Sequence, residues 1–365
     1  MRHPKGLVGP RRRRLVTIFI VVIVALVGFS PTGCYLSRGA WEEAKILSNR
    51  RDITDILADR RVDSVTRAKL LVVRDARLYA RNTIGLKTKD SFTAYSQLDR
   101  DTLVLVLSAA YRDTLAPYTW WFPIVGRVPY KGYFDFEQAR KDAAGLEQDG
   151  YDTYLRPSDA FSTLGFFNDP LLSTTLQMDS IDLANTVIHE VTHNTFYAPG
   201  QVAFNESFAS FVGSRGSELF FRTRGDTGAA RIAAARWEDD KLLGRFWARL
   251  STDLDSAYAA HRGDKAARLA ARDSVYARGR RFLIDSVAPH FTTIPTRYAS
   301  GVRLDNASLL ARRVYATELQ LFDDVWEREG RQLRPTVTRI IALAKSSPTD
   351  PYAGVRRWLI TSSQK

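Results

Sequence analysis

The chain has 365 residues, 45% of them hydrophobic and 11% aromatic, which supplies ample material for a core and excludes a disordered or collagen-like chain. Of its formal net charge of +13, the first 33 residues carry six basic and no acidic side chains, leaving 47 basic against 40 acidic groups from Cys34 onward. That excess is compatible with contact to an anionic membrane surface, but signs are mixed along the chain and no nucleic-acid fingerprint occurs, so nucleic acid is not an expected partner.

Arg11 to Arg14 form a basic block, followed by the apolar run Leu15 to Phe29 and then Ser30-Pro31-Thr32-Gly33-Cys34. A positive region, an apolar core and small residues before a processing point describe a secretory signal. The run is short for a spanning helix, which needs about 20 apolar residues. Cys34 is the single cysteine, so no intramolecular disulfide can form. Thr32-Gly33-Cys34 resembles the end of a bacterial lipobox, with Pro31 where an aliphatic residue is usual. Two alternatives stay open: lipidation of Cys34, or an uncleaved N-terminal anchor. Both expect the body of the protein in the cell envelope, outside the cytoplasm and attached to a membrane.

Residues 40 to 84 read as helical, with Gly85 placed for a C-cap. Thr102 to Ser108 reads as a buried strand. From Pro117 to Phe134 the chain is rich in aromatics, Pro and Gly, which predicts short strands joined by turns. Tyr130 and Tyr133 lie here, and a phenol beside a metal can donate to a developing oxyanion. Asp135 and Gln138 make a capping-box pattern for a helix to about Gln148. Strands are expected at Tyr151 to Leu155 and near Asp159 to Gly165, with Phe161 to Leu164 as an edge that could pair with extended substrate.

Asp179 or Ser180 caps a helix to about Tyr197 that contains His189-Glu190-Val191-Thr192-His193. Positions i and i+4 share a helix face, so both imidazoles can aim at one point. With five histidines and eleven glutamates, a shuffled chain would give H-E-x-x-H roughly two times in a thousand. Pro199-Gly200 ends the helix and a second begins near Asn205. The short link predicts an antiparallel hairpin that returns Glu206 to the histidines. Two imidazoles and a carboxylate are the protein ligands of many catalytic zinc sites, which predicts one Zn²⁺ on His189, His193 and Glu206. Glu190, about 100° round the helix from His189, is placed as a general base beside the metal.

These residues carry a resemblance. His189-Glu190-Val191-Thr192-His193 with Asn205-Glu206-Ser207-Phe208-Ala209-Ser210 resembles the H-E-x-x-H and N-E-G-F-A-S pair of gluzincin aminopeptidases, with a shorter connection. More specifically, the chain resembles the zinc aminopeptidase family of bacterial envelope proteins. That match rests on Gly33-Cys34-Tyr35, Phe122 to Gly126, Val128 to Phe134, Ser162 to Gly165 and Asn168 to Thr174. The resemblance implies zinc on His189, His193 and Glu206, Glu190 as catalytic base, and a peptide substrate. The departure is the missing G-x-M-E-N strand, whose glutamate holds the substrate amine in gluzincin aminopeptidases. Asp159 and Asp169 are conceivable acidic anchors, and turn residues are the simpler reading of both.

Leu242, Leu243, Phe246, Trp247, Leu250, Leu254 and Tyr258 trace one helical face, and His261 to Asp264 breaks it, which predicts a helical hairpin over 217 to 288. His261 and His290 read as loop residues. A helix is expected from Leu304 through Phe322, carrying Tyr315. The resembling family has an asparagine and a tyrosine here, so Asn306 or Tyr315 could reach substrate, a helix cap being the simpler role for Asn306. Asp323-Asp324 reads as a solvated charge pair, and 335 to 362 as one or two helices.

The expected fold is α+β and predominantly helical, a zincin-like metallopeptidase core with a small β-sheet before the H-E-x-x-H helix. Its expected divisions are 1–34 (signal or anchor), 35–178 (helices and sheet), 179–216 (zinc-binding pair) and 217–365 (helical). The expected activity is zinc-dependent peptide hydrolysis by an aminopeptidase. An endopeptidase acting on envelope polypeptides and a noncatalytic membrane-anchored binding protein are the alternatives. Tyr133 and Tyr315 stand as oxyanion donors.

Overall fold

A computed structural model describes residues 31–122, 126–158 and 170–362. Helix α1 (Pro31–Ser48) leads through β1 (Arg50–Asp52) into α2 (Ile53–Ala58) and α3 (Ser64–Tyr79). Asp52 and Asp63 accept backbone N–H bonds at the starts of α2 and α3. These carboxylates satisfy otherwise orphaned donors, so each restarts the backbone ladder and divides what the periodicity reads as one helical region. A π turn at Ala80–Ile84 ends on Gly85, whose φ of 88° is the left-handed cap conformation.

Three small sheets follow. β2 (Ala94–Ser96) lies between β1 and β8 (Leu171–Leu172). β4 (Trp120–Phe122) and β5 (Gly126–Val128) form a hairpin within the aromatic stretch. The third sheet has β3 (Val104–Tyr111) at its centre, antiparallel to β6 (Tyr130–Tyr133) and β7 (Tyr151–Ser158). Its register sorts the side chains. Ser108 stands opposite Tyr130 and Tyr154, and Val106 opposite Gly132 and Arg156, so Tyr130, Tyr154 and Arg156 share one face. Leu107 and Tyr133 take the other face, where α4 (Phe136–Gln148) covers them with Ala139 and Ala143.

The rest of the described chain is helical. α5 (Ser180–Thr195) and α6 (Val202–Thr223) form a hairpin, followed by the 34-residue α7 (Thr227–Ala260) and α8 (Lys265–Phe282). The shorter α9 (Arg297–Gly301), α10 (Asn306–Arg313) and α11 (Leu319–Arg328) precede α12 (Leu333–Ser346) and α13 (Pro351–Ser362). The main core joins α3, α5 and α6 to the C-terminal helices through Val187, Ile188, Phe208, Phe211, Phe322 and Ile340. α7 enters it with Ala233 and Trp237, then passes Leu243 to Tyr258 into a second core closed by α8. The helical hairpin broken at His261 is therefore present, as the apolar stripe predicts.

Several expectations change. Residue 216 lies inside α6, so the chain has no break at the expected 216/217 boundary. The helix expected to run through Phe322 stops at Arg313, and Tyr315 sits in the turn before α11. Asp323 is buried instead of solvated: its carboxylate accepts both a bidentate pair from Arg215, each bond 2.9 Å, and the Trp237 indole N–H at 2.9 Å. Asp305, not Asn306, caps α10. Asn306 is fully buried, its amide donating to the carbonyls of Tyr111 and Thr114 and its oxygen accepting from the Tyr276 hydroxyl. It is a structural tie without reach to substrate. Among the described residues no helix is long and apolar enough to cross a membrane. The Leu15 to Phe29 run, the Phe161 to Leu164 edge, Asp159 and Asp169 all lie outside the described residues.

Candidate metal centre

The centre depends on how closely α5 and α6 approach. Asp179 starts α5 by accepting the N–H groups of Ile181 and Asp182. After α5 ends, Asn205 fastens the link: its side-chain oxygen accepts from the Ala198 N–H and its amide donates to the Ala198 carbonyl, both at 2.8 Å. Gly213, two turns beyond Glu206, then meets α5 directly. A Cβ there would fall 2.9 Å from the Asn185 carbonyl oxygen and 3.2 Å from the Cβ of His189. Gly216 repeats the device one turn on, against Ile188. Without side chains at these two positions, α6 lies against α5 and carries Glu206 up to the imidazoles.

The three donors converge. His189 and His193 face each other with Nε2 atoms 3.2 Å apart. Glu206 places one carboxylate oxygen 3.4 Å from His189 Nε2 and the other 3.7 Å from His193 Nε2. Zinc–ligand bonds of about 2.0–2.2 Å at tetrahedral angles separate neighbouring donors by about 3.3–3.6 Å. The observed separations of 3.2, 3.4 and 3.7 Å bracket that range, so donor types and spacing suit one zinc ion, whose fourth tetrahedral position no protein donor among the described residues takes. Among the described residues this is the one group of three such side chains able to hold a metal.

The electrostatics agree with that geometry. Burial opposes ionisation of Glu206, but bonds from His189 and His193 outweigh it and hold the carboxyl down at about 2. For His193, burial favours the neutral ring, yet the hydrogen bond and charge of Glu206, with the charge of Glu190, raise its pKa overall. Glu190 is half-buried and has no hydrogen bond or ion pair among the described residues. Its charge is nevertheless felt by both His193 and Tyr315.

Tyr130 and Tyr315 lie within electrostatic reach of Glu206, and Tyr197 within reach of Tyr130. Tyr130, Tyr197 and Tyr315 remain substantially exposed, and the charge of Glu206 raises the pKa of both Tyr130 and Tyr315 after burial of the phenol. The hydroxyl of Tyr315 lies among protein atoms although the residue is partly open, and it is pushed up to about 12 despite nearby Arg156. The sequence-expected Tyr133 is not among them. It stands three residues from Tyr130 on the same strand and so projects from the opposite face, where its hydroxyl donates to Asp142. Burial first, then Asp142, raises its pKa strongly. Tyr197 and Arg156 were not singled out from the sequence. Tyr197 is legible only as the residue just past the metal helix, and Arg156 only once the β3–β7 register is known.

The comparisons with known proteins bear on the same residues. No curated protein and no solved structure matches the chain. A family model described as "Putative aminopeptidase" matches residues 34–352, a span that contains all three metal donors, Glu190 and the tyrosines around them. Peptidase function in general is thereby supported, and the chain belongs to the putative aminopeptidase family.

Proposed function

We propose that the protein is a zinc-dependent peptidase with a zincin-type core, an aminopeptidase in its reaction and attached to a membrane of the cell envelope. The observation that carries it is the triangle of His189, His193 and Glu206, with Glu190, unpaired among the described residues, one position from the first ligand. A structural metal has no use for such a carboxylate. Bound zinc supplies Lewis acidity toward a peptide carbonyl and acidifies water. The chain's own residues then do the proton work. Glu190 accepts the proton of the attacking water and passes it to the leaving amine. Tyr315, whose phenol is kept protonated by burial, donates to the oxyanion as it forms.

Attachment outside the cytoplasm rests on the basic block, apolar run and Gly33-Cys34, with lipidation or an uncleaved anchor as its two forms. The missing G-x-M-E-N strand favours one second reading, an endopeptidase. Metal analysis with peptide hydrolysis tests the core of the proposal: the wild type should hold one zinc and cleave peptides. Glu190→Gln should keep the zinc and lose roughly 10²- to 10⁴-fold in kcat. A zinc-loaded wild type that cleaves no peptide would sink the enzyme reading. Free against N-acetylated peptides separates exo- from endopeptidase.

A further inference from the structure

A cavity of about 310 Å³ opens beside the metal centre, and its walls include Arg156, Ser210, Asp240, Trp247, Arg312 and Tyr315. Two of its lining residues relate it to the triad. Ser210 is one helical turn beyond Glu206 on α6, and Tyr315 is within electrostatic reach of Glu206 and Glu190.

The two guanidinium groups in this wall meet no carboxylate among the described residues. Arg215, Arg236 and Arg272, also partly or wholly buried, each meet one or more carboxylates. Arg156 has no hydrogen bond and no ion pair among the described residues. Arg312 is held by neutral groups. Its two terminal nitrogens donate to the hydroxyls of Tyr298 and Tyr154, each at 3.1 Å, and its carbon centre lies 5.3 Å and 5.5 Å from the rings of Tyr154 and Trp247. Its Nε is buried with no acceptor among the described residues. A partly buried guanidinium with an unsatisfied donor is costly, and the stacking and hydrogen bonds that orient Arg312 leave that Nε donor free.

Asp240 is the one carboxylate among the described lining residues, and it does not neutralise the pair. It forms no ion pair with either arginine, and the cation acting on it is Arg236, already shared by Asp179 and Asp182. The Asp240 side chain is itself exposed to solvent.

We infer that Arg156 and Arg312 form a subsite for a carboxylate of the peptide substrate, which the cavity places next to the scissile bond. This rests on the peptidase reading of the adjoining centre. Planar guanidinium donors match a carboxylate in a way a lysine would not, and the aromatic walls carry the methylene groups that lead to it. Two sources share this chemistry: an acidic side chain flanking the cleaved bond, or the C-terminal carboxylate of a short peptide.

Two matched pairs of substrates, offered to the zinc-loaded full chain, distinguish these sources. Glu-Ala-Ala-amide against Gln-Ala-Ala-amide tests the side chain, and Ala-Ala-Ala against its amide tests the terminus. One charged member should be preferred in kcat/KM by roughly tenfold to hundredfold. Arg156→Met should bring that ratio close to one, and Arg156→Lys should restore part of it. Binding of N-acetylalanine against N-acetylalaninamide, followed by NMR in metal-free protein, gives a readout independent of turnover. Tighter binding of the carboxylate in wild type than in Arg156→Met supports the subsite even if no peptide is cleaved, a result that would count against the peptidase reading alone. Equal binding of acid and amide by wild type, with no charged peptide preferred, overturns the subsite.

Discussion

At the scale of single residues, side-chain direction decides which phenol can act. Tyr130 and Tyr133 differ by an odd number of strand positions, so the sheet sends them to opposite faces. Tyr315→Phe should therefore lower kcat by roughly 10²- to 10³-fold with little change in zinc content. Tyr133→Phe should leave turnover in place and cost about 1–2 kcal/mol in denaturant unfolding, because it strips the Asp142 carboxylate of a buried donor. Comparable losses of kcat in both variants would refute this assignment. The raised pKa of His193 gives a pH dependence with two opposite signs. Protonated His193 stabilises the metal-free protein fully below its unfolded value of about 6.5, and this is lost as pH rises through the raised folded value. Zinc requires the neutral ring, so zinc affinity should instead rise with pH across that interval, measurable by competition with a chelator.

At the scale of the elements, the contact between α5 and α6 makes the centre possible. Gly213→Ala would set a methyl group 2.2 Å from the Asn185 side-chain oxygen and 2.9 Å from its carbonyl oxygen, so the helices must separate. We expect a loss of about 1–3 kcal/mol in unfolding free energy, together with weaker zinc binding, since Glu206 rides on the displaced helix. Unchanged zinc affinity in a folded Gly213→Ala protein would show that Glu206 is not carried by this contact. The helix pair itself was legible in the sequence. His189 and His193 share a face by simple period, Pro199-Gly200 ends one helix, and Asn205 to Ser210 begins another. The glycine contacts were not, because nothing in the local pattern of α6 says which turn will touch α5.

At the scale of the whole molecule, Asp323 ties three helices together. It accepts from Arg215 on α6 and from Trp237 and Lys241 on α7, and itself stands on α11. Burial disfavours its charge, but these partners keep its pKa below the usual carboxylate range. Asp323→Ala would remove the anion shared by Arg215, Lys241 and Trp237 while Glu218 and Glu238 still pair with the two cations, a loss of about 1–3 kcal/mol in unfolding experiments. A solvated Asp323 would instead give a near-neutral change. In sequence, Asp323-Asp324 looks like an exposed pair, since two adjacent acids on an amphipathic helix usually face water. Only the approach of α6 and α7 reverses that for one of them.

The sequence by itself determined the chemistry of the donors, the predominantly helical α+β character, and most element positions, because these follow from helical period, capping residues and turn formers within a few residues of one another. Tertiary structure decided the surroundings. Arg156 and Arg312, far apart in sequence, meet in one cavity beside Glu206 only because β7 and α10 pack there. Tyr315 comes to the centre through the turn that separates α10 from α11. The physical reason is the same in each case: a ligand set spaced by one helical turn is a local property, whereas the walls around it depend on which distant faces need burial.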